Sequence, residues 1–187
     1  MSDRFDIIET SLQGLKIIQR KPLGDSRGYL ERLFCQNDFA ELLKRKTIAQ
    51  TNHTLTGNIG TIRGMHFQQP PYAEVKFVHC LKGEVYDVAV DIRTDSPTFL
   101  SCHAEILSAA NHKTLLVPEG FAHGFQTLSE DCEMLYFHTS HYNSNAEAAL
   151  NALDPKLSIQ WPLPVTEQST RDKEHPMIKS DFQGVQL

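Results

Sequence analysis

The sequence predicts an all-β fold, a jelly-roll barrel or sandwich with a few short helices. From residue 48 onward, short runs rich in Val, Ile, Phe and Thr alternate with Gly, Pro, Asn, Asp and Ser, the pattern of strands separated by turns. The predicted strands cover residues 15–20, 48–54, 61–68, 75–82, 84–93, 103–107, 114–117, 124–128 and 133–139. About eight strands at this spacing, with no helices between them, favour closure into a jelly roll.

Length, charge and cysteine content limit the class of protein. A chain of 187 residues with 40% hydrophobic content suffices for one core, so we expect a single domain over residues 1–187. The net charge of −5 gives no global attraction for nucleic acid or an anionic membrane. No apolar stretch approaches the ~20 residues of a membrane span, and the first residues lack the apolar core of a signal peptide. Four widely spaced cysteines indicate reduced thiols, and we expect a cytoplasmic protein.

Local signals predict the remaining elements. Residues 22–28 contain Pro, Gly, Asp and Ser and are predicted to form a loop. Asp38 and Glu41 have the spacing of a capping box at the start of a helix. The pair Lys82-Gly83 predicts a hairpin turn between its flanking strands. Residues 145–150 are predicted to form one helical turn.

Alternation along residues 84–93 places Asp87 and Asp91 on one face with Val85 and Ala89. Two aspartates among small apolar residues suit a barrel interior that holds polar groups. The same pattern fits a face that is simply solvated, and periodicity alone leaves both interpretations open.

Two short segments carry the chemistry. Residues 60–68, GTIRGMHFQ, place an arginine, a histidine and a glutamine in a strand-like run, and residues 118–125, PEGFAHGF, add a second histidine after a turn. A lone histidine in a strand is usually packed or solvated, but polar neighbours around His66 favour a site. Strict alternation would put Arg63 and His66 on opposite faces, so we expect Gly64 to mark a bulge or bend that lets both reach that site.

The order of TIRGMHFQ, EVKFVHCLKGEVYDVAVDIRTDSPTF, LVPEGFAHGFQTLSE and EMLYFHT resembles the dTDP-4-dehydrorhamnose 3,5-epimerase family, over residues 12–176 or so. The resemblance implies a cupin-type jelly roll, a homodimer, and no cofactor or metal. It implies an isomerase that converts dTDP-4-keto-6-deoxy-D-glucose to dTDP-4-keto-L-rhamnose, in the biosynthesis of dTDP-rhamnose for cell-surface polysaccharide.

A ketone at C4 of such a sugar acidifies the hydrogens at C3 and C5. Inversion then needs a base, a proton donor on the other face and a group that stabilises the enolate. His66 suits the base because a histidine is largely neutral near pH 7. The resemblance implies that Asp172 orients His66 and that Tyr136 is the donor, while Lys76 would stabilise the enolate oxygen.

Recognition of the nucleotide is predicted to use the remaining polar residues. Arg63 and Arg27 can make bidentate contacts with diphosphate oxygens, and the resemblance implies that the Arg27 loop reaches the partner's site. Tyr142 matches a position that stacks on the base. The other predicted substrate-binding residues are Gln50, Asn52, Gln68, His123, Glu147 and Arg171.

Three alternative functions share parts of this pattern. A metal-dependent cupin needs clustered histidines, whereas the first segment gives His66-Phe-Gln68 and the second only His123. A non-catalytic module would not need a base opposite a phenol. A single-centre epimerase or a 3,4-ketoisomerase could share the base and the acid. The sequence departs from the family's pattern at Arg32, His79, His141, Ala152 and Leu153, so the nucleotide and the number of inverted centres stay open.

Overall fold

The structure is a computed structural model that describes residues 3–187, and strands form most of its regular backbone. The strands are β1 (Phe5–Glu9), β2 (Lys16–Arg20), β3 (Leu23–Asp25), β4 (Gly28–Leu30), β5 (Gln50–Thr56), β6 (Ile62–Gln68), β7 (Lys76–Lys82), β8 (Glu84–Asp91), β9 (Cys102–Ser108), β10 (Lys113–Val117), β11 (Phe121–Thr127), β12 (Cys132–His138) and β13 (Glu147–Ala149). The helices are α1 (Ala40–Leu43), α2 (Thr170–Glu174) and a 3-10 turn (Pro155–Leu157). The predicted all-β class is confirmed.

Two antiparallel sheets face each other. The first has the order β1-β2-β10-β7-β12-β5 and the second the order β13-β6-β11-β8-β9. Neighbouring strands are mostly distant in sequence, as in a jelly roll. Apolar side chains from both inner faces, among them Val78, Val85, Phe125 and Met134, form a common buried core. This core closes one end of the sandwich and leaves polar side chains at the other.

Each outer face is covered by a different part of the chain. Phe39 and Leu43, in and beside α1, pack with Phe77 on the outside of the first sheet. The C-terminal segment covers the second sheet, where Ile178 and Val185 join one buried cluster. No helix among the described residues is long and apolar enough to cross a membrane.

The predicted hairpin at Lys82-Gly83 is wrong. β7 pairs with β10 and β12, whereas β8 pairs with β9 and β11, so the chain crosses between sheets at Gly83. A Cβ on this glycine would lie 2.5 Å from the hydroxyl of Ser129. The tight glycine turn is present, but it links two layers and not two neighbouring strands.

Three local predictions also differ from the structure. Residues 22–28 do not form an irregular loop, because β3 and the start of β4 pair there as a hairpin. Residues 145–150 contain β13, which pairs with β6, and not a helical turn. The predicted capping box is absent, since α1 is capped by Phe39 without a side-chain bond and Asp38 contacts Arg32 at 3.5 Å.

The two aspartates of β8 are fully buried, so the interior interpretation holds. Asp91 accepts hydrogen bonds from Arg93, Ser96 and Thr98 at 2.6–2.8 Å. Asp87 contacts a histidine of β11, which is part of the site described next. The four cysteines are free thiols, as predicted.

Candidate active site

A cleft opens at the end of the sandwich where polar side chains replace the apolar core. Its deeper part has a volume of about 300 Å³ and continues into an outer part of about 270 Å³. The deeper part is lined by Asn52, Thr54, Arg63, His66, Lys76, His123, Tyr136, His138, Arg171 and Asp172. Gln50, Gln68, Glu74, Tyr142 and Glu147 line the outer part. The structure therefore brings all the predicted site residues together except Arg27.

A bulge at Gly64 turns two side chains to the same cleft, as the sequence predicted. His66 lies opposite His123 and Arg63 opposite Phe125, so two residues of β6 oppose one residue of β11. The φ of Gly64 is 140°, and a Cβ there would lie 2.5 Å from the backbone of β11. Only glycine fits such a position.

His66 and Asp172 form a hydrogen-bonded pair, with 2.8 Å between Nε2 and Oδ1. Asp172 lies in the first turn of α2, whose N-cap is Ser169. The Gly64 N–H also points at the carboxylate, at 3.4 Å. Burial alone would raise the pKa of Asp172, but the hydrogen bond and charge of His66 outweigh it, and the net pKa is lowered. An ionised Asp172 fixes the proton of His66 on Nε2 and leaves Nδ1 as the nitrogen with a free lone pair.

Tyr136 reaches the same cleft from the first sheet. Its ring centroid lies 6.4 Å from that of His123 and 6.0 Å from that of His138. Burial raises the pKa of Tyr136 above its ordinary value, so the phenol stays protonated at neutral pH. A partly buried neutral phenol can donate a proton or a hydrogen bond to a ligand in the cleft.

Lys76 is held at the floor of the cleft by Glu74, which the sequence analysis missed. The Lys76 ammonium lies 3.2 Å from Glu74 Oε1 and 3.5 Å from the His66 carbonyl oxygen. Glu74 also contacts His138 Nδ1 at 2.9 Å. Burial opposes ionisation, but the bond to His138 and the charge of Lys76 give Glu74 a lowered pKa. Alternation could have found Glu74, because it precedes Lys76 by two residues and so shares its face.

His123 forms a second histidine–carboxylate pair, deeper than the first. Its Nε2 lies 2.9 and 3.0 Å from the two carboxylate oxygens of Asp87, and both residues are buried. Burial raises the pKa of Asp87 despite the neighbouring His123.

The two arginines of the cleft differ in their partners. Arg63 donates to Thr56 Oγ1 at 2.8 Å, and no carboxylate within the described residues pairs with it. Arg171 is already paired with Glu147, at 2.5 Å. Glu147 also accepts a hydrogen bond from the Tyr142 hydroxyl at 2.7 Å. Arg63 is thus the cation in the cleft that is more available to an anionic ligand.

Side-chain amides shape the outer rim. Gln50 donates to Asn52 at 3.0 Å and accepts from the backbone N–H of Tyr142 at 2.9 Å. Gln68 is buried and bonds to the backbone of Tyr72, His141 and Asn143. Gln68 therefore holds the loop beside the cleft, while Gln50 and Asn52 retain access to a ligand.

Arg27 lies apart from this cleft. It is exposed at the tip of the β3–β4 hairpin and contacts Asp25, with 2.5 Å between Nη2 and Oδ2. The structure of one chain does not bring it to its own cleft, and the prediction that it reaches a partner's cleft stays a prediction.

One further histidine, not selected from the sequence, borders the His66–Asp172 pair. His175 Nε2 lies 3.8 Å from Asp172 Oδ1, which is beyond hydrogen-bond range. The ligand atoms of His66, Asp172 and His175 all lie within 4.8 Å of one another, close enough to share a metal ion. A search of the sequence for an HxH pattern could not find this trio, because His175 comes from the far end of the chain.

Comparisons with known proteins agree on one family. The family model described as dTDP-4-dehydrorhamnose 3,5-epimerase matches residues 9–180. The enzyme of that name from Salmonella typhimurium is 41% identical over 174 residues, which cover 92% of this chain and 94% of that one. The enzyme of the same name from Sinorhizobium fredii is 38% identical, and the match covers 90% of this chain and 87% of that one.

Solved structures give the same result for the fold. The dTDP-6-deoxy-D-glucose-3,5-epimerase of Legionella pneumophila, solved with dTDP-4-keto-L-rhamnose, has a TM-score of 0.89 and 37% identity, over 97% of this chain and 98% of that one. A 3'-monoepimerase from Streptomyces bikiniensis, solved with dTDP-quinovose, has a TM-score of 0.82 and 28% identity, over 91% and 86%. The predicted jelly roll of cupin type is confirmed.

Proposed function

Because the chain belongs to the dTDP-4-dehydrorhamnose 3,5-epimerase family, we propose that it inverts C3 and C5 of dTDP-4-keto-6-deoxy-D-glucose to give dTDP-4-keto-L-rhamnose. No cofactor is needed, since the C4 ketone itself acidifies the neighbouring carbons. The observation that carries the proposal is one cleft in which His66, bonded to Asp172 of α2, and the protonated Tyr136 come from opposite sheets.

The first proposed step removes a proton from the sugar. The free lone pair of His66 takes the hydrogen from C5 or C3, and the electron pair of the broken C–H bond moves through the ring carbon to O4. Lys76 stabilises the enolate oxygen, where negative charge develops. Asp172 stabilises the imidazolium that forms, because its carboxylate is already bonded to Nε2.

The second proposed step returns a proton to the same carbon from the opposite face of the sugar. The enolate collapses to the ketone as its carbon takes the phenolic proton of Tyr136 on the opposite face, which inverts the centre. The phenolate that remains is short-lived because burial strongly favours the neutral phenol. Proton exchange with solvent restores both groups, and the cycle repeats at the other carbon.

Binding of the nucleotide is assigned to the rim. Arg63 contacts the diphosphate because it is a cation without a carboxylate partner in the part of the chain that the structure describes. Tyr142 stacks on the base. Gln50, Asn52, Gln68, Glu147 and Arg171 are also assigned to the substrate, with Glu147 and Arg171 acting as a pair. His123 is assigned to it as well, from a deeper position in the cleft.

A homodimer completes the site in this proposal. Arg27 of a second copy enters the cleft, and the exposed apolar residues beside it, Leu23, Tyr29 and Leu30, pack on the partner. The whole chain serves as one epimerase domain. Its four free cysteines fit the reducing cytoplasm.

A single-centre epimerase is the second candidate, favoured by the likeness to the 3'-monoepimerase of Streptomyces bikiniensis. A 3,4-ketoisomerase would use the same base and acid on a related nucleotide sugar.

Incubation with dTDP-4-keto-6-deoxyglucose in deuterated water tests the proposal by NMR. Deuterium at both C3 and C5, with formation of the L-rhamno product, is the expected result. Deuterium at one carbon alone would establish the single-centre reaction. Absence of exchange at either carbon would overturn the proposal, and the CDP- and GDP-linked sugars measured in parallel would show which nucleotide is accepted.

A further inference from the structure

The imidazole of His175 has one ring nitrogen that makes no hydrogen bond within the described residues. The residue follows α2 directly, and its Nε2 is buried without a hydrogen-bond partner among the described residues. Buried ring nitrogens are almost always satisfied by a protein group, water or ion. The nearest charged atom, Asp172 Oδ1 at 3.8 Å, is too far to satisfy it.

The neighbours of this nitrogen form a ligand set. His66, Asp172 and His175 each offer one ligand atom, and these atoms lie within 4.8 Å of one another. Asp172 Oδ1 lies 2.8 Å from Nε2 of His66 and 3.8 Å from Nε2 of His175. Bonds of about 2.0–2.1 Å in a tetrahedral zinc site put neighbouring ligand atoms roughly 3.4 Å apart. The two distances from Asp172 Oδ1, 2.8 and 3.8 Å, lie on either side of that value.

The ligand types in this group of three residues indicate which metal ion would bind. Two imidazoles and one carboxylate suit Zn²⁺, which commonly has three protein ligands and one open position. The open position here would face the cleft. A different acid–histidine cluster of the cleft, Glu74 with His138, holds the Lys76 ammonium and would repel a cation.

We propose that Zn²⁺ binds His66, Asp172 and His175 and switches the enzyme off. A neutral imidazole carries one ring proton. In the metal-free protein that proton lies on Nε2 of His66, and Nδ1 is free to accept another. When Nε2 binds zinc through its lone pair, the ring proton must lie on Nδ1, which then has no lone pair for the substrate. Zinc binding and proton abstraction are mutually exclusive.

The binding half of this proposal stands on geometry alone, whereas the inhibition half rests on the proposed role of His66 as base. Two measurements therefore separate them. Calorimetric titration of the full chain with Zn²⁺ tests binding, and the exchange reaction in the presence of Zn²⁺ tests inhibition.

The titration compares the wild type with His175→Ala, His175→Gln and His141→Ala. His141 is an exposed histidine outside the trio and serves as the matched control. Wild type and His141→Ala should bind one Zn²⁺ per chain, and both His175 variants should bind on the order of 10–100-fold more weakly or worse. His175→Gln preserves most of the side-chain volume in case alanine impairs folding. Equal zinc affinity in the wild type and a folded His175 variant would overturn the site.

The activity measurement uses the same proteins, each compared with its own metal-free rate. Zn²⁺ should inhibit wild type and His141→Ala, with recovery after EDTA, while the His175 variants resist. Chelation of Zn²⁺ by the substrate is the same for every variant and cannot produce this difference. Mg²⁺, which prefers six oxygen ligands, should not inhibit. Full activity of a zinc-loaded wild type would overturn the inhibitory assignment even if the titration had located the ion.

Discussion

Two histidine–aspartate pairs lie side by side in this cleft, and they differ in depth. The side chain of His66 is 36% exposed beside an Asp172 that is 6% exposed, whereas His123 and Asp87 are 6% and 0% exposed. The hydrogen-bond lengths are nearly the same, 2.8 Å in the open pair and 2.9 Å in the sealed pair. The chemistry of the residues is thus identical, and only the surroundings separate the pairs.

The surroundings shift the pKa values of the two aspartates, Asp172 and Asp87, in opposite directions. In the open pair, the contacts of Asp172 outweigh burial and its pKa is lowered. In the sealed pair, burial dominates and the pKa of Asp87 is raised. A histidine that faces a cleft and is backed by an ionised carboxylate can exchange protons with a ligand, while a sealed one mainly holds two strands together. Residue type alone does not identify a base.

The largest expected effect is a loss of activity that distinguishes the His66–Asp172 pair from the His123–Asp87 pair. His66→Ala should lower solvent exchange at C3 and C5 by roughly 10²–10⁴-fold, the usual contribution of a general base, and leave nucleotide-sugar binding largely intact. Asp172→Asn should act in the same direction. His123→Ala should instead lower the free energy of unfolding by about 3–5 kcal/mol, because it leaves Asp87 buried and unpaired. NMR exchange and urea denaturation of all three variants check this. Near-wild-type exchange in His66→Ala would remove it as the base.

Tyr136 lies beside the sealed pair but is assigned to the second proton transfer. Tyr136→Phe should keep measurable deuterium uptake at C3 or C5, because His66 can return a solvent-derived proton to the face it left. Net epimer formation should fall by a larger factor, about 10-fold or more beyond the loss of exchange, in line with removal of a general acid. Both are followed in one sample by NMR. A parallel fall of the two signals would exclude Tyr136 as the opposing acid, and His138 would be tested next.

The third prediction compares the two arginines on the open side. Arg63→Lys should weaken binding of the dTDP-sugar by about 10-fold, since loss of one charge-assisted hydrogen bond corresponds to roughly 1.5–3 kcal/mol. Arg171→Lys is the matched control and should change affinity less, because Arg171 is already occupied by Glu147. Calorimetric titration with dTDP gives both values. An affinity unchanged by Arg63→Lys would place Arg63 outside the diphosphate site.

The smallest effect is in the pH dependence of stability. Because the pKa of Asp172 is lowered on folding, its stabilising contribution is present above the unfolded value of about 3.9 and is lost as pH falls through the folded pKa. Asp87 has a raised pKa, so its contribution is present below about pH 3.9 and is lost as pH rises through the folded pKa.

Urea denaturation of the wild type, Asp172→Asn and Asp87→Asn across this acid range checks the contrast. The stability difference between wild type and Asp172→Asn should grow with rising pH. The difference between wild type and Asp87→Asn should shrink over the same range. Parallel trends would mean that the two carboxyl groups titrate alike and that the comparison between the pairs fails.

The sequence predicted those features that depend on one strand at a time. Alternation placed Asp87 and Asp91 on one face, without deciding whether that face is buried, and it indicated the need for a bulge at Gly64 between Arg63 and His66. The motifs around His66 and Tyr136 led to the cleft. Signals within a segment were enough because side-chain direction follows from the period of the strand.

Features that depend on distant partners were missed. The turn at Gly83 is visible in the sequence, but which strands pair on each side depends on the whole topology. Residues 145–150 have a helical composition, yet they include β13, because β6 offers an unpaired edge there. His175 and Glu74 became relevant only when the fold placed them beside Asp172 and Lys76.

The crossing at Gly83 has a consequence for stereochemistry. It is one of several crossings by which the chain alternates between the two sheets, and together they place β6, with His66, in one layer and β12, with Tyr136, in the other. Val78, Val85 and Met134 belong to the buried core that fills the space between the layers. The proposed inversion therefore depends on residues outside the cleft, because the apolar core keeps the proposed base and acid in separate layers.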